Sequence, residues 1–167
     1  MPDLDIEPLY RRYFPIIRAK CARMLGDSED AQDVAQETFT RLWSERSRLT
    51  GVEGVLAWLY QTSTRLAIDR FRRARRTAHD GAEALLADQE GADSTQDLQR
   101  LVSSRKLLAR VAAGVPAAEL EVAVLSRVDA LTHREIAEVV GASERTVRRL
   151  LHKFEARIDR LREDLPQ

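Results

Sequence analysis

Cysteine is almost missing from this chain: one, Cys21, occurs in 167 residues, too few for an internal disulfide or a thiolate-rich zinc site. The three histidines are scattered and add no ligand set, so neither a metal nor any other cofactor is expected. Glycine (7) and proline (5) are scarce and aromatics make up 5%, while Ala, Leu, Arg and Glu dominate. Straight side chains lose little rotamer freedom in a helix, so this composition favours helices over sheets. No apolar run approaches the roughly 20 residues that span a bilayer, and membrane insertion is not expected. The acidic start from Met1 to Glu7 is unlike a secretory leader, so the expected location is the cytoplasm. A phosphate-binding glycine loop, an activated nucleophile and paired catalytic carboxylates are also missing, which argues against an enzyme.

What the chain has is charge, and the charge is sorted. Lys and Arg total 27 against 27 Asp and Glu, a net of zero that conceals two opposite blocks. Arg70, Arg72, Arg73, Arg75 and Arg76 put five arginines in seven residues. Directly after them, His79 to Asp97 holds six acids (Asp80, Glu83, Asp88, Glu90, Asp93, Asp97) and no Lys or Arg. This stretch has too little apolar periodicity to offset the entropy of ordering it, and it reads as a tether. The expected fold is all-α: two small helical domains, residues 1–77 and 100–167, joined by a flexible acidic linker over 78–99.

In the first domain Ile6, Leu9, Tyr10, Tyr13, Ile17, Cys21, Met24 and Leu25 share one helical stripe, with Pro15 as a kink or restart and Gly26 as the stop. Asp27 can cap a second helix whose apolar stripe is Ala31, Val34, Ala35, Phe39, Leu42 and Trp43. Burying that stripe leaves Asp30, Asp33, Gln36, Glu37 and Thr40 outward, an acidic and amide-rich face suited to a basic partner. Thr50, Gly51 and Gly54 interrupt the pattern, and a third helix runs from about Val55 into the arginine cluster. On it Trp58, Gln61, Thr62, Arg65, Arg72 and Arg76 fall on one side with Asp69, because steps of seven and eleven nearly close whole turns. Arg73 extends that basic surface. Arginines can follow phosphates while an aromatic meets unstacked bases, as single-strand binding requires. Trp58 fits a core position equally well.

In the second domain, helices are expected over Leu101–Ala113, Ala117–Ala130, Thr132–Val140 and Glu144–Arg162. Thr132-His-Arg-Glu135 is a capping box. Ile136, Ala137 and Val140 point inward, Gly141 turns the chain, and Ser143 can cap the next helix, which together make a helix-turn-helix, winged-helix-like but without strands. Val147, Leu150, Leu151, Phe154, Ile158 and Leu161 form the last helix's buried stripe, leaving Arg145, Arg148, Arg149, His152 and Lys153 exposed at its front. Arg148 and Arg149 suit guanine edges, and Ser143, Arg145 and Thr146 suit phosphates that fix register.

These blocks carry a resemblance. The run Gly26 to Trp43 resembles the polymerase-binding helix of extracytoplasmic-function sigma factors of the sigma-70 family. Ala57-Trp-Leu-Tyr60 with Leu66-Ala-Ile-Asp-Arg-Phe-Arg-Arg73 resembles their minus-ten recognition helix, and Leu131 to Lys153 their minus-thirty-five reader. The chain departs from the family pattern at Gln61-Thr-Ser-Thr-Arg65, where a longer cation replaces an Asn, and the loop Ser47 to Val55 lacks the usual aromatic. The resemblance implies a promoter-directing subunit with promoter DNA and RNA polymerase core as partners. Core would be met at the clamp coiled coil of the largest subunit and the flap of the second. An anti-sigma protein is implied as a further partner. The tether is then either a solvated spacer or an acidic occupant of the polymerase's basic RNA path. The rivals are a dimeric stand-alone helix-turn-helix repressor or activator, and a helical regulatory adaptor.

Overall fold

The computed structural model describes residues 5–49, 51–80, 111 and 114–163, and among these every regular element is helical. Among the described residues six α-helices are delimited: α1 (Ile6–Leu25), α2 (Ser28–Glu45), α3 (Gly51–Asp80), α4 (Ala117–Arg127), α5 (His133–Val140) and α6 (Glu144–Glu163). A single 3-10 turn, Arg46–Arg48, follows α2. The tether from residue 81 onward, and the helix expected at Leu101–Ala113 apart from Val111, lie outside the described residues.

Local chemistry sets most of the boundaries. Asp5 accepts from the Glu7 amide at 3.2 Å to start α1. Gly26, in left-handed backbone at φ 73°, ends it with its N–H on the Ala22 carbonyl. The next residue starts α2: the Asp27 carboxylate accepts from the Glu29 and Asp30 amides at 2.7 and 2.9 Å. α1 runs through Pro15 without a break. Pro15 and Arg11, the residue whose carbonyl loses its amide partner, are both exposed.

Three helix boundaries differ from those expected. α3 opens at Gly51, with φ 73°, and takes Gly54 into its first turn instead of being interrupted by it. It also continues to Asp80, into residues expected to belong to the tether. At the other end of the chain, the helix expected to reach Ala130 stops at Arg127, because Ala130 adopts φ 55° and the Leu131 amide turns back to the Leu125 carbonyl at 3.1 Å.

The first core is built by Ile17 and Cys21 of α1, Val34, Phe39 and Leu42 of α2, and Val55 and Leu59 of α3. Each of the Val, Leu, Ile and Phe side chains among them contributes about 1.5–3 kcal/mol on burial. Tyr10 and Trp43, expected on buried stripes, are instead among the exposed large apolar residues. The second core joins Val122 and Leu125 of α4, Ile136 and Ala137 of α5, and Val147 and Leu151 of α6, with Tyr60 of α3 packed against it.

The two units are therefore in contact, through α3 against α4 and α5. At the centre of the contact is a buried ion pair, Lys20 Nζ to Asp129 Oδ2 at 2.7 Å, with side chains only 1% and 2% exposed. The same ammonium donates to the Tyr60 carbonyl at 3.1 Å and the Thr64 hydroxyl at 2.6 Å. Its neighbour Cys21 is fully buried, and burial pushes the thiol up to about 11, which leaves it without a reactive thiolate near neutral pH.

Candidate nucleic-acid and protein-docking surfaces

The α5–turn–α6 unit is held by its caps. The Glu135 amide donates to the Thr132 hydroxyl at 3.3 Å, while the Thr132 amide and hydroxyl donate to the Glu135 carboxylate at 2.8 and 2.7 Å. Gly141 makes the turn at φ 67°, and the Ser143 hydroxyl accepts from the Thr146 amide at 3.2 Å to start α6. The hydrogen bonds from Thr132, its hydroxyl first and its amide second, hold the Glu135 carboxyl below its ordinary value of 4.5.

Thr132→Ala is expected to cost about 1 kcal/mol of stability in thermal melts. The Glu135 part of the cap depends on pH in a fixed direction. A depressed folded-state pKa contributes stability above the unfolded value, and this is lost as pH falls through the folded one. The penalty of Thr132→Ala should accordingly be full at pH 7 and shrink in acid.

On α6 the side chains divide along the helix. Val147 and Leu151 are buried in the second core, and Arg145, Arg148, Arg149, His152 and Lys153 are all exposed on the opposite side of its first half. Spacings of three and four put Arg145, Arg148, Arg149 and His152 on one continuous face. Among the described residues, no ion pair involves Arg145, Arg148, Arg149 or Lys153. Ser143 is exposed and Thr146 half-buried, and their hydroxyls lie 3.0 Å apart, so part of their bonding capacity is spent on each other. The second half of α6 is structural: Arg157 Nε donates to Glu119 of α4 at 2.8 Å, and Glu155 pairs with Arg127 at 2.7 Å.

The face predicted on α3 is split by the fold. Trp58 is half-buried and packs on the first core, which is the core alternative weighed for it. Gln61 and Thr62 are half-buried, and Arg73 and Arg76 are exposed. Arg65 and Arg72 turn to the C-terminal unit: Arg65 Nε pairs with Glu121 at 2.9 Å, and Arg72 donates to the Val115 carbonyl at 2.8 Å.

The acidic face of α2 is assembled as its spacing implies. Asp33, Gln36, Glu37 and Thr40 are exposed and Asp30 is half-buried. The structure adds Arg70 of α3, which the sequence did not single out as a partner. Its Nε donates to Asp30 at 2.7 Å, and its guanidinium lies 3.6 Å from Asp33. Glu37 is paired with Arg41 at 2.6 Å, and the Thr40 hydroxyl donates to the Gln36 carbonyl at 2.9 Å. A groove lined by Asp33, Glu37, Arg41, Asp69, Arg70 and Arg73 runs between α2 and α3. Trp43, 57% exposed, carries Arg46 stacked 4.5 Å from its ring. The signal for its exposure was available: Trp43 lies seven residues beyond Gln36, hence on the same side of α2.

No group of His, Cys, Asp or Glu able to hold a metal occurs among the described residues. Among those residues, no helix is long and apolar enough to cross a membrane.

Comparison with known proteins follows the same division. Residues 9–77 match the model of Sigma-70 region 2, and residues 105–158 that of Sigma-70, region 4. The ferric citrate uptake sigma factor FecI of Escherichia coli (strain K12) is 29% identical over 152 residues, covering 90% of this chain and 87% of that protein. The ECF RNA polymerase sigma factor SigW of Bacillus subtilis (strain 168) is 29% identical over 143 residues, covering 80% of this chain and 75% of its own length. Among solved structures, the sigma factor RpoE of Bartonella quintana, crystallised with the anti-sigma factor NepR, aligns with a TM-score of 0.54. It covers 97% of this chain and 99% of that one at 17% identity, a likeness of fold.

Proposed function

The chain belongs to the sigma-70 family, among its extracytoplasmic-function members, and from that premise we propose how its surfaces share the work of directing RNA polymerase core to promoters. Residues 1–77 act as the region that docks core and takes the minus-ten strand, 78–99 as the tether, and 100–167 as the reader of the minus-thirty-five duplex. Asp30, Asp33, Gln36, Glu37 and Thr40 meet the basic clamp coiled coil of core. Trp58, Gln61, Thr62, Arg65, Arg72, Arg73 and Arg76 hold the melted strand. Ser143, Arg145 and Thr146 fix register on phosphates, Arg148 and Arg149 read base edges, and His152 and Lys153 extend the basic front.

The observation that carries this reading is the division of α6. Its front half offers exposed cations with no acidic partner among the described residues, and its back half is tied to α4 by Arg157 and Glu155. A rigid helix with a free basic face is what a major groove accepts. The strand is bound and not chemically altered, in keeping with a family of non-enzymatic initiation factors, so melting is stabilised by binding alone. The chain acts beside polymerase in the cytoplasm, and an anti-sigma protein is a further partner of the same class as the one bound to the RpoE neighbour.

Purified chain added to core polymerase is expected to start transcripts from templates that core alone ignores, at sites with two unlike elements separated by a spacer. Tight unaided binding to a palindrome would identify the dimeric repressor instead, a reading that the matches to both sigma-70 regions do not favour.

A further inference from the structure

The first core leaves one large side chain of α2 outside. Trp43 is 57% exposed, the most of any large apolar residue described. Phe39, one turn earlier, is buried in that core with the Tyr10 ring edge-on to it at 5.1 Å. Trp43 packs into neither core among the described residues. Tryptophan is mostly buried in folded chains, and it is enriched among the residues whose truncation costs an interface most.

The indole already holds a cation. The Arg46 guanidinium lies 4.5 Å from the ring, kept there by the hydrogen bond that its Nη1 donates to the Trp43 carbonyl at 2.6 Å. Such a stack is weak in water and grows stronger once water is excluded from it. Arg46 belongs to the short turn that follows α2, so its side chain can swing away without breaking a bond between backbone groups.

Thr40 and Gln36, three and seven residues before Trp43, lie on the same side of α2. Asp33 and Glu37 extend that outer face with exposed carboxylates. The carboxylates and the π face of the ring attract the same chemistry, which is a cation. Resting on the docking role assigned above to the acidic face, we propose that Trp43 is its anchor: an arginine or lysine of the basic polymerase surface seats on the indole in the place that Arg46 holds in the free chain. One cation replaces another, and the gain comes from covering the stack. The acids draw the partner in, and the ring fixes where it stops.

The test measures affinity of the full chain for immobilised core polymerase at one salt concentration. Trp43→Ala is expected to weaken binding about thirtyfold and Trp43→Phe only about threefold. Trp43→Leu should fall with Ala, because an aliphatic side chain offers no π face. Arg46→Gln removes the internal competitor and is expected to tighten binding about fivefold beside Trp43, but less than about twofold in the Trp43→Ala background. The exposed position predicts melting temperatures close to the parent's. Should Trp43→Ala and Trp43→Leu unfold in circular dichroism, Trp43→Phe and Arg46→Gln still decide the matter.

A leucine that binds as well as the phenylalanine would reduce the anchor to an apolar contact and overturn the cation seat. An equal gain from Arg46→Gln with and without the ring would do the same, since it reports only long-range charge. If Trp43→Ala keeps full affinity for core but loses binding to a fluorescein-labelled single strand, the ring is a platform for bases and the proposal fails. It fails also if the substitution instead abolishes a dimer of the free chain in light scattering. Unchanged core binding by the Trp43 variants, beside a loss in Asp33→Lys with Glu37→Lys, overturns the anchor alone. Unchanged binding in that charge reversal, or a parent that does not bind core, overturns the docking role itself.

Discussion

Asp33→Lys combined with Glu37→Lys is expected to weaken association with core polymerase by at least about a hundredfold while leaving duplex binding by the C-terminal unit unchanged. The two carboxylates are 56% and 52% exposed and one helical turn apart on α2. Asp33 lies beside Arg70, and Glu37 is paired with Arg41. In the free chain those arginines partly neutralise the face, and a basic partner must compete with them. Reversal removes both attractions and places two new cations beside Arg41 and Arg70, so the groove between α2 and α3 would repel a basic partner. Like charges facing each other across an interface cost several kcal/mol. The fold should survive, because exposed helix substitutions of this kind change stability by about 0.5 kcal/mol. Binding of the variant to immobilised core, measured at two salt concentrations, checks the result. Unchanged affinity at low salt would move the docking surface elsewhere.

The reversal can be designed from sequence because α2 is written in local chemistry. Asp27 caps it, the apolar residues repeat at threes and fours, and the acids are what remains. The same holds for the capping box at Thr132, the turn at Gly141 and the front of α6, each of which depends on residues a few positions apart. What was not legible depends on contacts between distant segments. A stripe such as Ile6 to Leu25 shows which side of α1 faces inward but not what it faces. Lys20 sits on that stripe, three residues from Ile17, where a lysine ordinarily extends its stem and keeps its charge in water. Only the arrival of Asp129 makes full burial possible. The cation at position 65, noted in the sequence for replacing an Asn, similarly acquires its meaning from Glu121, which belongs to the other unit. Gly54 misled for a different reason: a single helical glycine costs about 1 kcal/mol, and packing of the adjacent Val55 in the first core outweighs it.

Arg148→Ala is expected to weaken binding to the minus-thirty-five duplex by about 1–3 kcal/mol and to relax preference at one base pair, with core association intact. The argument rests on a contrast within one helix. Arg148 is exposed and has no acidic partner among the described residues, so truncating it leaves no buried group unsatisfied, and Val147 and Leu151 still anchor α6. Arg157, nine residues on and of the same type, answers Glu119, whose carboxylate is only 5% exposed. Arg157→Ala would leave that carboxylate unpaired and is expected to cost about 1–3 kcal/mol of stability, with little direct effect on DNA. Two arginines on one helix should thus give opposite phenotypes, one in affinity and one in melting temperature. Lys153→Ala provides the third case: a phosphate contact predicts weakening that is uniform across sequences and a shallower salt dependence. Were Arg148→Ala to weaken all duplexes equally, its role would be that of Lys153, and base reading would pass to Arg149, which the same substitution would then expose as the residue that sets preference.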